Sequence, residues 1–138
     1  PVQGPRAGFH AVQPAPPVDV LDDEYPLRLT TGRRLDSYNT GVQSGSMPSP
    51  LRRGETVDLH PDDAQRLGVR AGDEVRVRSR RGSVVAPVRL DVGLQPGLVF
   101  MTFHFPDQVD TNALTIDATD PKSGTAEFKA AAVCIERV

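Results

Sequence analysis

Short apolar segments separated by turn residues dominate the chain from Leu27 onward, and this pattern restricts the fold more than any other feature. In residues 73–78 two valines alternate with charged side chains, and residues 84–90 continue the alternation after an Arg80-Arg81-Gly82 turn. A period of two on both sides of a glycine-containing turn predicts a β-hairpin. Repeated short strands with little helix between them predict a mainly β domain, a small barrel or a sandwich.

Further strands are expected before and after this hairpin. Residues 98–103 form an almost continuous apolar run, which predicts a central strand buried on both faces. Residues 131–136 predict a last strand that closes the sheet. Pro87 lies within the returning strand of the hairpin and has no N–H to donate, so we expect that strand at an edge or with a bulge.

One helix is well specified, directly after a predicted strand at residues 57–59. His60 suits the N-cap, Pro61 suits the first helical position, and two acidic residues follow in the first turn. Gly68 ends the helix. Because the helix is short and has few apolar residues, we expect it to form a lid over one end of a barrel.

The composition favours one domain with a tail. A chain of 138 residues with 38% hydrophobic residues can bury one core. Its net charge of −2 gives no electrostatic footprint for nucleic acid. No apolar run approaches the roughly 20 residues of a membrane helix, and no leader segment is visible, so we expect no membrane insertion. The lone cysteine fits a reducing compartment, and we expect a cytoplasmic location.

Two stretches differ from the strand pattern. Residues 1–24 are rich in proline and end in acidic residues, which predicts an extended linker from a preceding domain, with the barrel domain at residues 25–138. Residues 104–129 form a long polar segment without clear periodicity. Loops of this length inside a domain are often functional, so we expect a binding loop at the end of the central strand.

The turn Thr31-Gly32-Arg33, followed by Tyr38-Asn39-Thr40, can hold an anion. Glycine lets backbone N–H groups approach an oxyanion, and the planar arginine fork matches phosphate. The same tripeptide also occurs in ordinary turns at strand ends. Since the chain has no dinucleotide-binding or Walker-type glycine loop, a bound phosphate would be held by a loop of the barrel.

Other candidate residues are less informative. His10 lies in the tail and His60 is explained as a helix cap, so His104 is the histidine that we weigh as a ligand contact. Cys134 lies in the closing apolar strand, where a free cysteine behaves as a small hydrophobe. We find no metal-ligand spacing and no nucleophile with a matching base.

Several short segments together resemble one family. They are Tyr-Pro-Leu and Thr-Gly-Arg within residues 25–33, Tyr-Asn-Thr at 38–40, Phe-His-Phe at 103–105, Asn-Ala-Leu-Thr at 112–115 and Glu-Phe-Lys at 127–129. In this order they resemble the C-terminal molybdopterin-dinucleotide-binding domain of the formate dehydrogenase and nitrate reductase family, most closely that of a formate dehydrogenase alpha subunit. The resemblance extends over residues 25–138, and the lead-in is similar to the segment that joins this domain to the rest of such a subunit.

The resemblance implies a six-stranded double-psi β-barrel with one or two short helices and a long polar loop. It implies that the barrel holds the phosphate and guanosine parts of a bis-molybdopterin guanine dinucleotide that carries molybdenum or tungsten. Arg33 and Lys129 would neutralise phosphate charge. The positions that match the family's cofactor contacts are Thr31, Gly32, Arg33, Ser37, Tyr38, Asn39, Thr40, Phe103, His104, Asn112 and Lys129.

The resemblance also implies what lies elsewhere. The metal ligand, the iron–sulfur cysteines and the substrate pocket belong to other parts of such a subunit, so this stretch has no catalytic or metal-binding residue of its own. The expected partners are the remaining domains of the same subunit and electron-transfer subunits. Formate is the favoured substrate, with nitrate or another oxyanion as the alternative.

Two alternative functions are also compatible with the sequence. The chain could be a free-standing cofactor-binding subunit of a multi-chain enzyme. Alternatively, the barrel could serve as an adaptor that binds a protein through the arginine-rich turn at residues 78–81.

Overall fold

Six β-strands close into a barrel in the computed structural model of the chain, which describes residues 4, 8, 9, 11, 13–34 and 54–138. The strands are β1 (Leu27–Gly32), β2 (Val57–Leu59), β3 (Glu74–Ser79), β4 (Ser83–Leu90), β5 (Leu98–Thr102) and β6 (Ala131–Arg137). One α-helix, α1 (Pro61–Leu67), and a 3₁₀ helix (Thr111–Leu114) complete the regular elements of the described ranges. None of these helices is long and apolar enough to cross a membrane.

The strand order around the barrel is β1-β5-β2-β4-β3-β6. β1 is parallel to β5 and β2 to β4, while the remaining neighbours are antiparallel. These directions bring the C-terminal ends of β1, β3 and β5 to one end of the barrel, together with the N-terminal ends of β2, β4 and β6. We call this the upper end. The chain segments that enter and leave these strands there form one surface.

Alternate residues of the strands fill the barrel. Their side chains are branched or apolar and fully buried, as the period of two predicted. The innermost residues are Leu29, Val57, Leu59, Val75, Val77, Val99, Met101 and Val133.

The lower end is covered by α1, as expected for a lid. His60 caps the helix through its Nδ1, which accepts from the Asp62 N–H at 3.1 Å, and Gly68 ends it in the left-handed conformation with φ 68°. The buried Asp63 carboxylate joins the helix to the start of β5, because its Oδ2 accepts from the Gly97 N–H at 2.7 Å.

Two local expectations were wrong. β5 is not buried on both faces, since Leu98 and Phe100 are only partly buried, and a closed barrel has no central strand. Nor is Pro87 at an edge, because β4 pairs with β3 on one side and β2 on the other. The Val88 N–H donates to Asp73 O at 2.9 Å on the β3 side, so the Pro87 nitrogen faces β2, whose pairing begins only at Val88. Pro87 therefore removes no ladder bond.

The lead-in packs against the upper end of the barrel through residues 18–25, which we call the strap. Asp19 is its buried anchor, with only 4% of its surface exposed. One carboxylate oxygen accepts from Arg80 at 2.6 Å, and the other accepts from Arg81 and from the Ala132 N–H, each at 2.7 Å. The strap thus binds both the β3–β4 turn and the start of β6.

Charged and aromatic contacts continue along the strap. Asp22 pairs with Arg80 at 2.5 Å, and Glu24 pairs with Arg78 at 2.9 Å. The guanidinium carbons of Arg78 and Arg80 lie 5.0 and 4.7 Å from the centre of the buried Tyr25 ring. The arginines of the β3–β4 turn are therefore engaged by this chain, which removes the main support for an adaptor surface there.

We expect Asp19→Ala to lower the free energy of unfolding by about 2–4 kcal/mol, because the change removes a buried charged acceptor from Arg80, from Arg81 and from the Ala132 N–H. Asp22→Ala is the control, since Asp22 binds the same Arg80 from a half-exposed position and otherwise accepts only from two N–H groups within the strap, and it should have a smaller effect. Urea unfolding followed by circular dichroism measures both. Equal losses in the two variants would contradict the role of Asp19 as anchor.

The strap should also make stability depend on pH. Burial raises the pKa of the Asp19 carboxyl, but the Arg81 and Ala132 hydrogen bonds and the charges of Arg81 and Arg80 outweigh it and hold the pKa below its ordinary value. The stabilisation by Asp19 is therefore complete at pH values above the pKa of an aspartate in the unfolded chain, about 4. It is lost as the pH falls through the lower pKa that Asp19 has in the folded protein. The stability difference between the wild type and Asp19→Asn should narrow over that acidic range in urea titrations, and a constant difference would contradict this assignment.

Candidate functional site

The upper end of the barrel brings together the residues that follow β1 and β5 with those that precede β2 and β6. The described members of the expected set are Thr31, Gly32, Arg33, Phe103, His104, Asn112 and Lys129. Ser37, Tyr38, Asn39 and Thr40 lie outside the described residues, so their assignment stays a prediction.

Two aromatic rings form the floor of this surface. Phe103 and Phe128 meet edge to face with their centres 6.3 Å apart, and we call this pair the aromatic platform. The guanidinium carbon of Arg33 lies 5.2 Å from the Phe103 centre, and the Lys129 Nζ lies 4.9 Å from the Phe128 centre. Both cations are exposed. The platform therefore holds two exposed positive groups, Arg33 against Phe103 and Lys129 against Phe128.

Lys129 is held at its ammonium group by β1. Its Nζ donates to the Thr31 carbonyl oxygen at 2.6 Å, while the Thr31 hydroxyl donates to the Phe128 carbonyl oxygen at 2.7 Å. Within the described ranges no carboxylate lies within ion-pairing distance of Lys129. The ammonium keeps further donors and an unneutralised charge, which suits an anionic group such as phosphate.

Gly32 is required here for packing. A Cβ at this position would lie 2.7 Å from Cε2 of Phe100, much closer than two carbons can approach. The ring of Phe100 thus covers the backbone between Thr31 and Arg33. The expected approach of an oxyanion to the backbone N–H groups at this glycine stays a prediction, and the structure adds that the space beside its Cα is taken by an aromatic ring.

His104 and Arg34 join the turn after β1 to the segment after β5. His104 is fully buried, and its Nε2 accepts from the Arg34 N–H at 2.9 Å. The Arg34 guanidinium donates to both oxygens of Asp58, at 2.9 and 3.0 Å, and to the Thr56 hydroxyl at 2.6 Å. Arg34 is therefore held at its backbone and at its side chain.

Asp58 is a charged residue in the middle of a buried strand, with 1% of its surface exposed. Besides Arg34 it binds Arg89, whose Nε lies 2.9 Å from Oδ1 and whose Nη2 lies 2.5 Å from Oδ2. Arg89 also meets the more exposed Asp91 at 3.0 Å. Two arginines thus neutralise the Asp58 carboxylate inside the protein.

Glu55 extends the same buried network. Its carboxylate accepts from the Thr102 N–H at 2.8 Å and from the Thr102 hydroxyl, and that hydroxyl accepts in turn from the His104 N–H at 3.2 Å. A continuous hydrogen-bonded series, which we call the polar chain, runs from Glu55 through Thr102, His104, Arg34 and Asp58 to Arg89. It lies beneath the surface that carries Arg33 and Lys129.

Asn112 occupies a different part of the upper end. It lies exposed in the 3₁₀ helix, which is capped by Asp110 and fixed to the β3–β4 turn by an Arg81 bond to Leu114 O of 2.7 Å. In the described part of the chain no hydrogen bond joins the Asn112 side chain to the platform. Its predicted contact with the same ligand therefore requires a ligand that extends across the upper end.

Cys134 lies away from this surface, beside an apolar cavity of about 210 Å³ at the lower end. Burial raises the pKa of its thiol, which lowers its reactivity at neutral pH. This agrees with its expected role as a small hydrophobe. Among the described residues no group of three or more His, Cys, Asp or Glu side chains could hold a metal ion.

Sequence reasoning missed Arg34 and Asp58. Asp58 did carry a signal, because a carboxylate flanked by Val57 and Leu59 in a short strand must find a cation if the strand is buried. Arg34 carried none, since it differs from Arg33 only by the direction in which the turn presents it.

Comparisons with known proteins agree with the geometry. The family model of the molydopterin dinucleotide binding domain matches residues 27–132. Two proteins of Methanococcus maripaludis are similar, the F420-dependent formate dehydrogenase 2 subunit alpha with 41% identity over 87% of this chain, and the F420-dependent formate dehydrogenase 1 subunit alpha with 37% identity over 93%. The chain spans about a fifth of their length, 18% and 19% respectively.

A solved structure has the same fold. Acetylene hydratase from Pelobacter acetylenicus superimposes with a TM-score of 0.72 over 83% of this chain and 19% of its own, at 19% sequence identity. At this identity the likeness concerns the fold alone, and it agrees with the expected barrel.

We expect Asp58→Ala to lower the free energy of unfolding by about 3–5 kcal/mol, since it leaves the partly buried Arg34 without a carboxylate and Arg89 with only the more exposed Asp91. Asp91→Ala removes the outer partner of Arg89 and an exposed acceptor of the Gly93 N–H, and it should cost only about 1 kcal/mol. Urea unfolding followed by circular dichroism is suitable because the chain has no tryptophan. A loss for Asp58→Ala no larger than that for Asp91→Ala would contradict a central role for Asp58.

Proposed function

The chain belongs to the molydopterin dinucleotide binding domain family, and from this premise we propose that it holds the phosphate and guanosine parts of a bis-molybdopterin guanine dinucleotide in a formate dehydrogenase-like enzyme. The observation that carries the proposal is the pair of exposed cations, Arg33 and Lys129, on the aromatic platform. A pyrophosphate needs two or more positive donors at fixed positions, and this pair supplies them.

The residues of the upper end fit such a group in a consistent way. Lys129 has a charge that no described carboxylate neutralises, whereas the buried Asp58 and Glu55 are already matched within the polar chain. An incoming phosphate would therefore meet Lys129 without competition from these two carboxylates. Asn112, and the predicted contacts Ser37, Asn39 and Thr40, would add directional hydrogen bonds.

The division of labour follows from the cofactor class. When bound, the cofactor supplies the redox chemistry at its metal, molybdenum or tungsten, and the protein supplies binding, orientation and electrostatics. Arg33 and Lys129 neutralise phosphate charge, and the polar chain holds the backbone that carries Arg33. Because the chain spans about a fifth of the length of its relatives, we place the metal ligand, an iron–sulfur cluster and the substrate pocket in other domains of the same polypeptide.

Formate oxidation to carbon dioxide is the reaction we propose for that polypeptide. The names of the two Methanococcus relatives support it, and they also make F420 the first electron acceptor to test. Reduction of nitrate or another oxyanion is the alternative. We further propose electron-transfer subunits as partners, since the relatives are named as alpha subunits, and a cytoplasmic location.

The complete polypeptide tests this proposal. Expressed with cofactor maturation intact and denatured without oxygen, it should release molybdenum or tungsten together with about two guanine nucleotides per chain, as a bis-dinucleotide requires. Formate-dependent reduction of F420 or of a viologen dye then tests the reaction. A folded, matured protein that lacks both metal and nucleotide would contradict the cofactor assignment, and a loaded protein that reduces nitrate but does not oxidise formate would favour the alternative.

We expect Arg33→Ala and Lys129→Ala each to lower cofactor retention by at least about tenfold, because each removes a charged hydrogen bond worth roughly 1.5–3 kcal/mol. Arg76→Ala and Lys122→Ala are matched controls, since both are exposed cations of the same types outside the platform. Metal and guanine nucleotide content after dialysis measure retention. Undiminished content in the Arg33 and Lys129 variants, or equal losses in the controls, would count against the platform as the phosphate site.

A further inference from the structure

We propose that His104 is a positioning residue that holds the turn carrying Arg33, and that it does not itself contact the cofactor. The inference rests on the proposed function and deepens it, because His104 matches a position that the family resemblance assigns to cofactor contact. The atom that does the positioning is Nε2 of the imidazole.

His104 is buried beneath the platform. Its side chain is fully enclosed, while the exposed cations lie above it. Its ring centre lies 6.1 and 6.2 Å from those of its neighbours Phe103 and Phe105. A ligand on the platform can meet the partly exposed Phe103, whereas the imidazole offers it no exposed surface.

A hydrogen bond joins the His104 ring to the backbone of Arg34. The Nε2 atom accepts from the Arg34 N–H at 2.9 Å, and an imidazole nitrogen that accepts carries no proton. The neutral ring is thus the form protonated at Nδ1. This bond closes the turn after β1 onto the segment after β5, and it fixes the peptide group between Arg33 and Arg34.

The side chain of Arg34 supplies the other anchor of the same residue. Its guanidinium binds both Asp58 oxygens and the Thr56 hydroxyl at the N-terminal end of β2. With its N–H and its side chain both fixed, Arg34 leaves little freedom to the backbone of Arg33. The direction in which Arg33 extends over Phe103 is set by this double attachment.

Side-chain length allows a sharp test in the complete polypeptide. The amide oxygen of glutamine reaches the position of Nε2, whereas that of asparagine reaches only the position of Nδ1. His104→Gln should therefore keep most of the wild-type content of metal and guanine nucleotide, while His104→Asn should lose it about fivefold to tenfold. The opposite order, retention in His104→Asn and loss in His104→Gln, would overturn the inference.

A double variant separates positioning from general destabilisation. If His104 acts through Arg33, His104→Asn should cause little further loss of cofactor in an Arg33→Ala background. Fully additive losses would overturn the inference, because a ring that binds the cofactor directly or merely supports the fold has no reason to depend on Arg33.

Hydrogen exchange of the wild-type polypeptide tests the inference even if the variants fail to fold. The Arg34 amide should exchange much more slowly than the amides of the exposed Val92 and Asp107, which donate no hydrogen bond within the described residues, and exchange at the same rate would overturn the proposed bond. The two proposals fail in different ways. Wild-type protein without metal and nucleotide overturns the proposed function and this inference with it, whereas loaded wild-type protein with a fast Arg34 amide overturns this inference alone.

Discussion

The Asp58 carboxylate and its two arginines are the interaction on which the upper end of the barrel depends. A charge flanked by the fully buried Val57 and Leu59 is costly unless cations and donors surround it. Arg34 arrives from the turn after β1 and Arg89 from β4, so the one carboxylate joins segments on both sides of β2. The need to neutralise Asp58 therefore determines where the turn after β1 must lie.

The same logic extends along the rest of the upper end. Asp19 and Glu55 are also buried carboxylates, and each is matched by donors from distant parts of the chain. Internal acids thus have internal partners, while the surface above them presents cations. Pairing of the buried carboxylates inside the protein suits an anion-binding surface. A buried carboxylate without its own donors would compete with an anionic ligand for the surface cations.

Local sequence features predicted the elements that depend on local physics. The β3–β4 hairpin, the caps of α1 and the closing strand follow from alternation, turn residues and a proline at the first helical position, all of which act within a few residues. Asp19, Arg34 and Asp58 were not predicted as anchors because their contacts depend on barrel closure. Asp58 and Arg34 are 24 positions apart, and Asp19 reaches Ala132 across 113 positions. The expected edge position of Pro87 was wrong for the same reason, since only closure of the sheet shows which side of β4 lacks a ladder bond.

The three residues of the Thr31-Gly32-Arg33 turn make different kinds of contact in the structure. In sequence the three residues form a single anion-binding unit. In the structure Thr31 attaches the end of β1 to the segment before β6, Gly32 accommodates the Phe100 ring, and only Arg33 extends over the platform. Two of the three residues thus serve to place the third, and Arg34, which the motif does not include, fixes the turn from below. The placement of one arginine and one lysine at the aromatic platform therefore depends less on the motif than on the buried contacts that hold the turn after β1 and the segment before β6.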